Sequence, residues 1–184
     1  MFLVIKAILS SAFCYNSLMS LFILFGLPGA GKTYVGKVFQ EDFNYTYHDA
    51  DDDLPPEMQK ALIAQTAITD SMRDKFFQNI VKTIKQLRKK YSNIVIAQTF
   101  IKEKYRKWIL YEFHDAQFIL IQTETRIRES RLIKRIDHPL DMEYARQMCR
   151  NFDEPEISYQ TIDNNTEGTG NIKKQLEELF RENG

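Results

Sequence analysis

Cysteine is scarce in this chain of 184 residues, and the two present, Cys14 and Cys149, lie far apart with no C-x-x-C or Cys/His spacing. Neither a disulfide framework nor a zinc site is expected, and the pair reads as two thiols in a reducing compartment. Net charge is lacking too, since 25 Lys and Arg balance 25 Asp and Glu. Without a global positive field, nothing draws the chain as a whole to nucleic acid or to an anionic membrane, and any basic surface must be local. No later run reaches membrane-spanning length, and there is no internal repeat, low-complexity tract or Pro/Ser-rich linker. The composition is 43% hydrophobic, enough for one domain with both faces of a sheet covered.

Short apolar runs alternate with longer amphipathic ones. Leu21–Phe25, Tyr45–His48, Ile94–Ala97, Phe118–Gln122 and Gln160–Asp163 read as strands, the third and fourth dense in Ile, Val and Leu as buried parallel strands are. Helical patterns fall over Lys32–Glu41, Pro56–Gln65, Asp70–Tyr91, Lys102–Phe113, Glu124–Arg135, Leu140–Asn151 and Asn171–Arg181. A series of this kind folds as a three-layer α/β/α sandwich on a five-stranded parallel sheet with right-handed crossovers.

Between the first strand and the first helix stands Gly26-Leu27-Pro28-Gly29-Ala30-Gly31-Lys32-Thr33, which satisfies G-x-x-x-x-G-K-[ST]. Backbone N–H groups must point inward at a polyphosphate, so small residues are needed, and Gly26, Gly29, Ala30 and Gly31 supply them. Lys32 brings a positive charge to the β/γ-phosphates and Thr33 a hydroxyl to Mg²⁺. A plain strand-to-helix turn would require neither residue.

Ligands of open parallel sheets bind beyond the carboxyl ends of the strands. After the second strand come Asp49, Asp51, Asp52 and Asp53. A solvated acidic loop would account for such a cluster, yet it shares an edge with the phosphate loop, and transfer to an alcohol needs carboxylates to orient the hydroxyl and organise Mg²⁺. Asp49 and Asp51 would share a side if the strand continued, whereas Asp52 and Asp53 read as surface or helix N-terminal residues and His48 as a strand residue without a metal partner. Gln98 and Thr99 follow the third strand, where no Asp occurs, so acidic help for Thr33 is expected from Asp49 or Asp51. Arg126, Arg128, Arg131 and Arg135 follow the fourth strand. Arg128, Arg131 and Arg135 share one helical face, which suits either solvent or a lid that neutralises charge on a transferred phosphoryl group. Arg131 and Arg135 are the candidates for phosphate contact.

Four segments in order resemble small-molecule kinases of the gluconokinase and shikimate kinase group, the gluconokinase branch fitting best. They are Gly26–Thr33, Ile68-Thr69-Asp70-Ser71-Met72-Arg73, Lys102-Glu103-Lys104-Tyr105-Arg106, and Arg131-Leu132-Ile133-Lys134-Arg135-Ile136-Asp137-His138. The branch's His-Pro and Asn after the acidic turn are replaced by Asp53-Leu54-Pro55-Pro56-Glu57-Met58, and the Gly-Gly-Gly turn of shikimate kinases by Ala97-Gln98-Thr99. The resemblance implies a P-loop kinase fold with a short helical lid, using ATP and Mg²⁺ to phosphorylate a hydroxyl of a small anionic metabolite. It implies Asp51 near the acceptor hydroxyl, Arg73 and Arg106 on the anionic substrate and Arg131 reaching ATP from the lid; with the motif readings, Lys32, Asp51 and Arg131 are expected to be catalytic, Gly26, Gly29, Ala30, Gly31, Lys32, Thr33, Arg131 and Arg135 to bind the nucleotide, Asp49, Asp51, Arg73 and Arg106 the substrate, and Thr33 and Asp51 the metal. The expected partner is thus a small molecule, not nucleic acid or membrane, for a cytoplasmic monomer or homodimer. A nucleotide-binding switch without kinase activity and a nucleotide or nucleoside kinase are the alternatives.

Met1–Cys14 is apolar with one Lys and has the outward look of a short signal peptide. The first strand starts only a few residues later, and an ATP-dependent kinase has no ATP outside the cytoplasm. Met19 directly precedes Ser20–Leu24, so residues 19–184 are read as the single domain and 1–18 as an upstream extension that is not native, the alternative being an added N-terminal helix. An intact mass of the natively expressed protein distinguishes the two.

Overall fold

Along Ser20–Phe25 (β1) every residue after Ser20 is buried, with Leu21, Ile23 and Phe25 facing one side and Phe22 and Leu24 the other. Burial on both faces is the condition of a central strand in a covered parallel sheet. In the computed structural model, which describes residues 19–134 and 142–182, β1 lies at the centre of the order β2-β3-β1-β4-β5. Its companions are Thr46–Asp49 (β2), Asn93–Ala97 (β3), Ala116–Gln122 (β4) and Gln160–Asp163 (β5), and every pairing is parallel. Parallel neighbours need crossovers, which the intervening helices provide.

Two helices cover one face. From Lys32–Phe43 (α1) come Val35, Val38 and Phe39, and from Gly170–Glu182 (α7) Ile172, Leu176, Leu179 and Phe180, packed on Phe22 and Leu24. The opposite face takes Asp70–Leu87 (α3), whose Phe76, Phe77, Ile80, Val81 and Ile84 form one stripe, and Glu103–Glu112 (α4) with Tyr105 and Ile109. Burial of each such side chain contributes about 1.5–3 kcal/mol. Pro56–Ile63 (α2), Thr125–Ile133 (α5) and Met142–Arg150 (α6) complete the described helices. The fold is the expected α/β P-loop kinase type. Among the described residues no helix is long and apolar enough to cross a membrane.

Several boundaries differ from the expectation by one to four residues, and three of them matter here. β2 runs one residue further, to Asp49, and then turns at once into a 3-10 turn over Ala50–Asp53, so the strand does not continue to Asp51. α3 stops at Leu87, because Lys89, Lys90 and exposed Tyr91 give a further turn nothing to bury. α5 ends at Ile133 with Lys134 as its C-cap; Arg135 and the His138-Pro139 end of the lid pattern lie outside the described residues, as do residues 1–18.

Candidate functional site

The loop after β1 has three glycines, Gly26, Gly29 and Gly31, at positive φ where a side chain would clash. Gly26 has φ +142°, and a Cβ there would stand 2.6 Å from the Ile121 carbonyl oxygen of β4. Gly31 has φ +92°, and its Cβ would stand 2.2 Å from Asn164 Nδ2. Lys32 Nζ donates to the Gly26 and Leu27 carbonyls at 2.9 and 3.3 Å. The Ala30 carbonyl is the loop's anchor, accepting from Thr123 Oγ1 at 2.9 Å, Asn164 Nδ2 at 2.8 Å and Arg131 Nη1 at 3.4 Å. Thr123 and Asn164 are buried, and sequence reading missed both. Each is the residue immediately after a strand, β4 and β5, so the strand-end rule applied to every strand would have found them.

Arg131 belongs to this half of the site. Besides Ala30, it donates from Nη2 to the Asn164 carbonyl at 2.9 Å, and it lines a cleft of about 490 Å³ with Gly29, Gly31, Thr33, Lys37 and Asn164. Arg128, one turn earlier, points inward: it is buried and reaches the Pro28 carbonyl and Thr125 Oγ1 at 3.4 and 3.2 Å, fastening α5 to the loop.

The carboxylates separate into two positions. Asp49 Oδ2 accepts from Thr33 Oγ1 at 3.2 Å and from Tyr47 OH at 2.9 Å, while Asp49 Oδ1 accepts the Asp51 N–H at 3.2 Å and so caps the 3-10 turn. Burial raises the Tyr47 hydroxyl well above its ordinary titration range, which keeps it a donor. Asp49 and Asp51 are therefore brought together by a cap and not by strand alternation. Of the two carboxylates expected to assist Thr33, Asp49 is the one that stands beside it. Asp51 instead has its Oδ1 held by Gln98 Nε2 at 2.8 Å. Because Gln98 Oε1 accepts the Thr99 N–H, the amide is fixed with its donor toward Asp51.

A set of hydrogen bonds beneath the turn fixes its direction. Asp53 Oδ1 accepts from Thr83 Oγ1 at 2.6 Å, its Oδ2 pairs with His48 Nε2 at 2.8 Å, and Asn79 Nδ2 donates to its carbonyl at 3.0 Å. The bond to Asp53 raises the His48 pKa above its ordinary value, against the opposing pull of burial. Asp53 thus anchors the turn, more than the surface role expected of it, and Asp52 is exposed as expected.

Asp51 opens onto a cavity of about 200 Å³ that Arg73 also lines. Arg73 is half-buried, donating to the Ile68 carbonyl at 3.4 Å, and its charge acts on the Tyr144 hydroxyl from α6. Arg106 does not line this cavity. It is wholly buried, with Nε paired to Glu103, Nη1 donating to the Phe100 carbonyl at 3.1 Å and Nη2 to the Asp153 carbonyl at 2.6 Å, its guanidinium over the Phe25 and Phe152 rings. The expectation that Arg106 grips substrate is corrected: every nitrogen is committed inside the protein, and the residue positions the cavity wall. Phe100, whose carbonyl it holds, has φ +50°, a left-handed backbone that a buried aromatic adopts only when its surroundings enforce it.

Oxygen donors are what Mg²⁺ requires, and the Thr33 hydroxyl with the Asp49 carboxylate at 3.2 Å fits that requirement. No group of three or more His, Cys, Asp or Glu converges on a metal position among the described residues. An ion here would depend on phosphate oxygens and water for its remaining ligands.

Comparison with known proteins agrees with this geometry. Residues 23–157 match the family described as AAA domain. A probable gluconokinase of Xenopus tropicalis is 25% identical over 88 residues, a stretch that makes up 48% of this chain and 46% of that protein, so the match spans under half of the relative's length. Among solved structures, a sugar kinase from Janibacter sp. HTCC2649 superposes with a TM-score of 0.76 at 16% identity, covering 88% of this chain and 95% of that one. A gluconokinase from Sinorhizobium meliloti 1021 superposes with a TM-score of 0.69 at 16% identity, covering 91% and 99%. At these identities the structural likeness establishes a shared fold.

Proposed function

From a chain that belongs to the AAA domain family, we propose an ATP-dependent kinase that phosphorylates a hydroxyl of a small, anionic metabolite, gluconate- or shikimate-like in the sense of the family resemblance. The observation that carries this reading is the division of labour between two neighbouring carboxylates, Asp49 at Thr33 and Asp51 at the cavity mouth. A site that only held or hydrolysed a nucleotide would need the first and have no use for the second.

The amides of Gly26–Thr33 and the Lys32 ammonium hold the phosphates, and Arg131 meets them from α5. Thr33 and Asp49 would hold Mg²⁺, whose positive charge would offset that of the phosphates. Asp51, oriented by Gln98, accepts the proton of the acceptor hydroxyl as its oxygen attacks the γ-phosphorus. The bond from that phosphorus to the bridging oxygen breaks, and ADP leaves with the electron pair. Arg73 receives the acceptor's negative group. Holding both reactants in line at one strand edge is the main contribution of the fold.

Incubation with Mg-ATP and a panel of sugar acids, cyclic hydroxy acids and nucleosides, with ADP release and phosphorylated product both measured, tests the reading. Product from at least one alcohol is expected. ADP release unchanged by every acceptor would leave a nucleotide-binding switch in its place.

A further inference from the structure

The cavity at Asp51 is mixed in character and small. Gln98, Thr99, Arg73 and Tyr144 bring polar atoms to a lining that also includes the rings of Phe76, Phe100 and Tyr105, and its volume is about 200 Å³. Sites for small molecules run to roughly 300–1,000 Å³, so this chamber alone is undersized. A second cavity of about 500 Å³ adjoins it. Arg73, Ile101, Lys102, Tyr144 and Met148 line both, so the two lie side by side with these residues at their boundary. Taken together they fall inside the usual range.

The boundary carries a positive charge. Arg73 is half-buried, and among the described residues its one hydrogen bond is the 3.4 Å contact with the Ile68 carbonyl. An anionic group in the first cavity would reach it from one side. On the other side the lining changes: Gln65, Thr66, Gln147 and Asn151 contribute uncharged hydrogen-bonding groups. Asp70 there opposes the charge of Arg73, and Lys102 pairs with Asp153 at 2.9 Å, so no excess charge calls for an ionic ligand. Gln147 in α6 and Asn151 just after it stand one turn apart, the Asn151 N–H donating to the Gln147 carbonyl at 3.1 Å, and so share a face. No hydrogen bond to another described residue occupies either side-chain amide. Each amide offers donors and an acceptor together, which matches hydroxyl or amide groups.

Resting on the reading that Asp51 takes the proton of an acceptor alcohol, we propose that the acceptor is a two-part molecule, with an anionic head that carries the reacting alcohol between Asp51 and Arg73 and an uncharged tail of hydroxyl or amide groups that passes Arg73 and Tyr144 to hydrogen-bond Gln147 and Asn151. An acid with the head alone would leave the larger cavity to solvent.

The experiment measures kcat/KM with Mg-ATP for two pairs of acids, each pair sharing a head. Gluconate is compared with lactobionate, which is gluconate bearing a galactosyl group, and N-acetylserine with N-acetylglycylglycylserine, which adds two amides. In at least one pair the longer acid is expected to exceed the shorter by roughly tenfold or more, the yield of two neutral hydrogen bonds, and the better pair tells a hydroxyl tail from an amide tail. Gln147→Ala and Asn151→Ala, at exposed positions, are each expected to cut that long-to-short ratio severalfold, which a general loss of stability would not do. Longer acids no better than shorter ones, a ratio indifferent to both substitutions, or turnover of other alcohols but none of these four would overturn the proposal and leave the kinase reading standing. Phosphorylation of no alcohol at all would overturn both.

Discussion

The donor and acceptor halves of the site are built from different materials. Around Gly26–Thr33 the chemistry belongs to backbone: amides, three glycines that tolerate no side chain, and an Ala30 carbonyl tied down by Thr123, Asn164 and Arg131. Around Asp51 it belongs to side chains, namely a carboxylate set by Gln98, an arginine and a wall of aromatic rings. A backbone cradle constrains sequence tightly, because only a few residue types permit its φ values. A side-chain pocket constrains shape while leaving the residue types free, so specificity can change there without disturbing nucleotide binding. The two halves meet at one carboxylate pair, where Asp49 belongs to the donor side and Asp51 to the acceptor side.

The sharpest way to break that division is to damage each half separately. Lys32→Ala removes the mobile charge from the cradle and is expected to lower kcat by about 10³ while far-UV circular dichroism stays the same. Unchanged turnover would remove the donor half as described. Asp51→Asn is expected to lower kcat by about 10² to 10³ with ATP affinity intact. Asp49→Asn should act on the other side of the boundary, raising the Mg²⁺ concentration needed for half-maximal rate. If instead Asp49→Asn leaves the Mg²⁺ dependence alone and abolishes proton transfer, as a pH–rate profile would reveal, the two carboxylates have been assigned the wrong way round.

Arg106 probes whether the acceptor wall is held from behind. Arg106→Met leaves the Glu103 carboxylate buried and releases the Phe100 and Asp153 carbonyls, a loss of about 3 kcal/mol measured by urea denaturation. In the folded fraction, KM for the acceptor should rise while ATP affinity holds. A double variant Glu103→Leu/Arg106→Met should recover part of the stability, because no lone charge remains, without recovering the acceptor KM. Recovery of both would make the pair a matter of stability alone.

The sequence disclosed these halves unequally, for the same physical reason that distinguishes them. The loop of the cradle was legible, since glycines at fixed offsets followed by Lys and Thr leave a signature wherever they occur, although the residues that hold it in place were not. The strands and helices were also legible, because burial on two sheet faces writes period and apolar density into the chain. Arg106 was not. Its neighbours Lys102 and Tyr105 suggested a substrate grip, and only three dimensions show Glu103, Phe100 and Asp153 closing around it. Thr123 and Asn164 escaped because single polar residues after strands carry no pattern, and the aromatic cavity escaped because Met58, Phe76, Phe100 and Tyr105 come from four separate segments that read as ordinary core.

The mildest test concerns the turn that joins the halves. His48 pairs with Asp53 at 2.8 Å, and Asp53 with Thr83 holds the 3-10 turn on which Asp51 rides. The folded pKa of His48 is raised, so protonation is linked favourably to folding. That contribution is complete below the unfolded value of about 6.5 and is lost as pH rises through the higher folded value. Solvent screens the half-buried pair, which limits it to about 1 kcal/mol or less. The stability advantage of the native protein over His48→Asn should therefore be greatest below about pH 6.5 and shrink above it, as denaturation across a pH series measures. An advantage that grew with pH would mean that His48 serves as a neutral hydrogen-bonding group. If the turn links the two halves as described, the variant should also weaken the acceptor's KM slightly and leave ATP binding untouched. Equal effects on both substrates would show that the turn supports the cradle as much as the cavity.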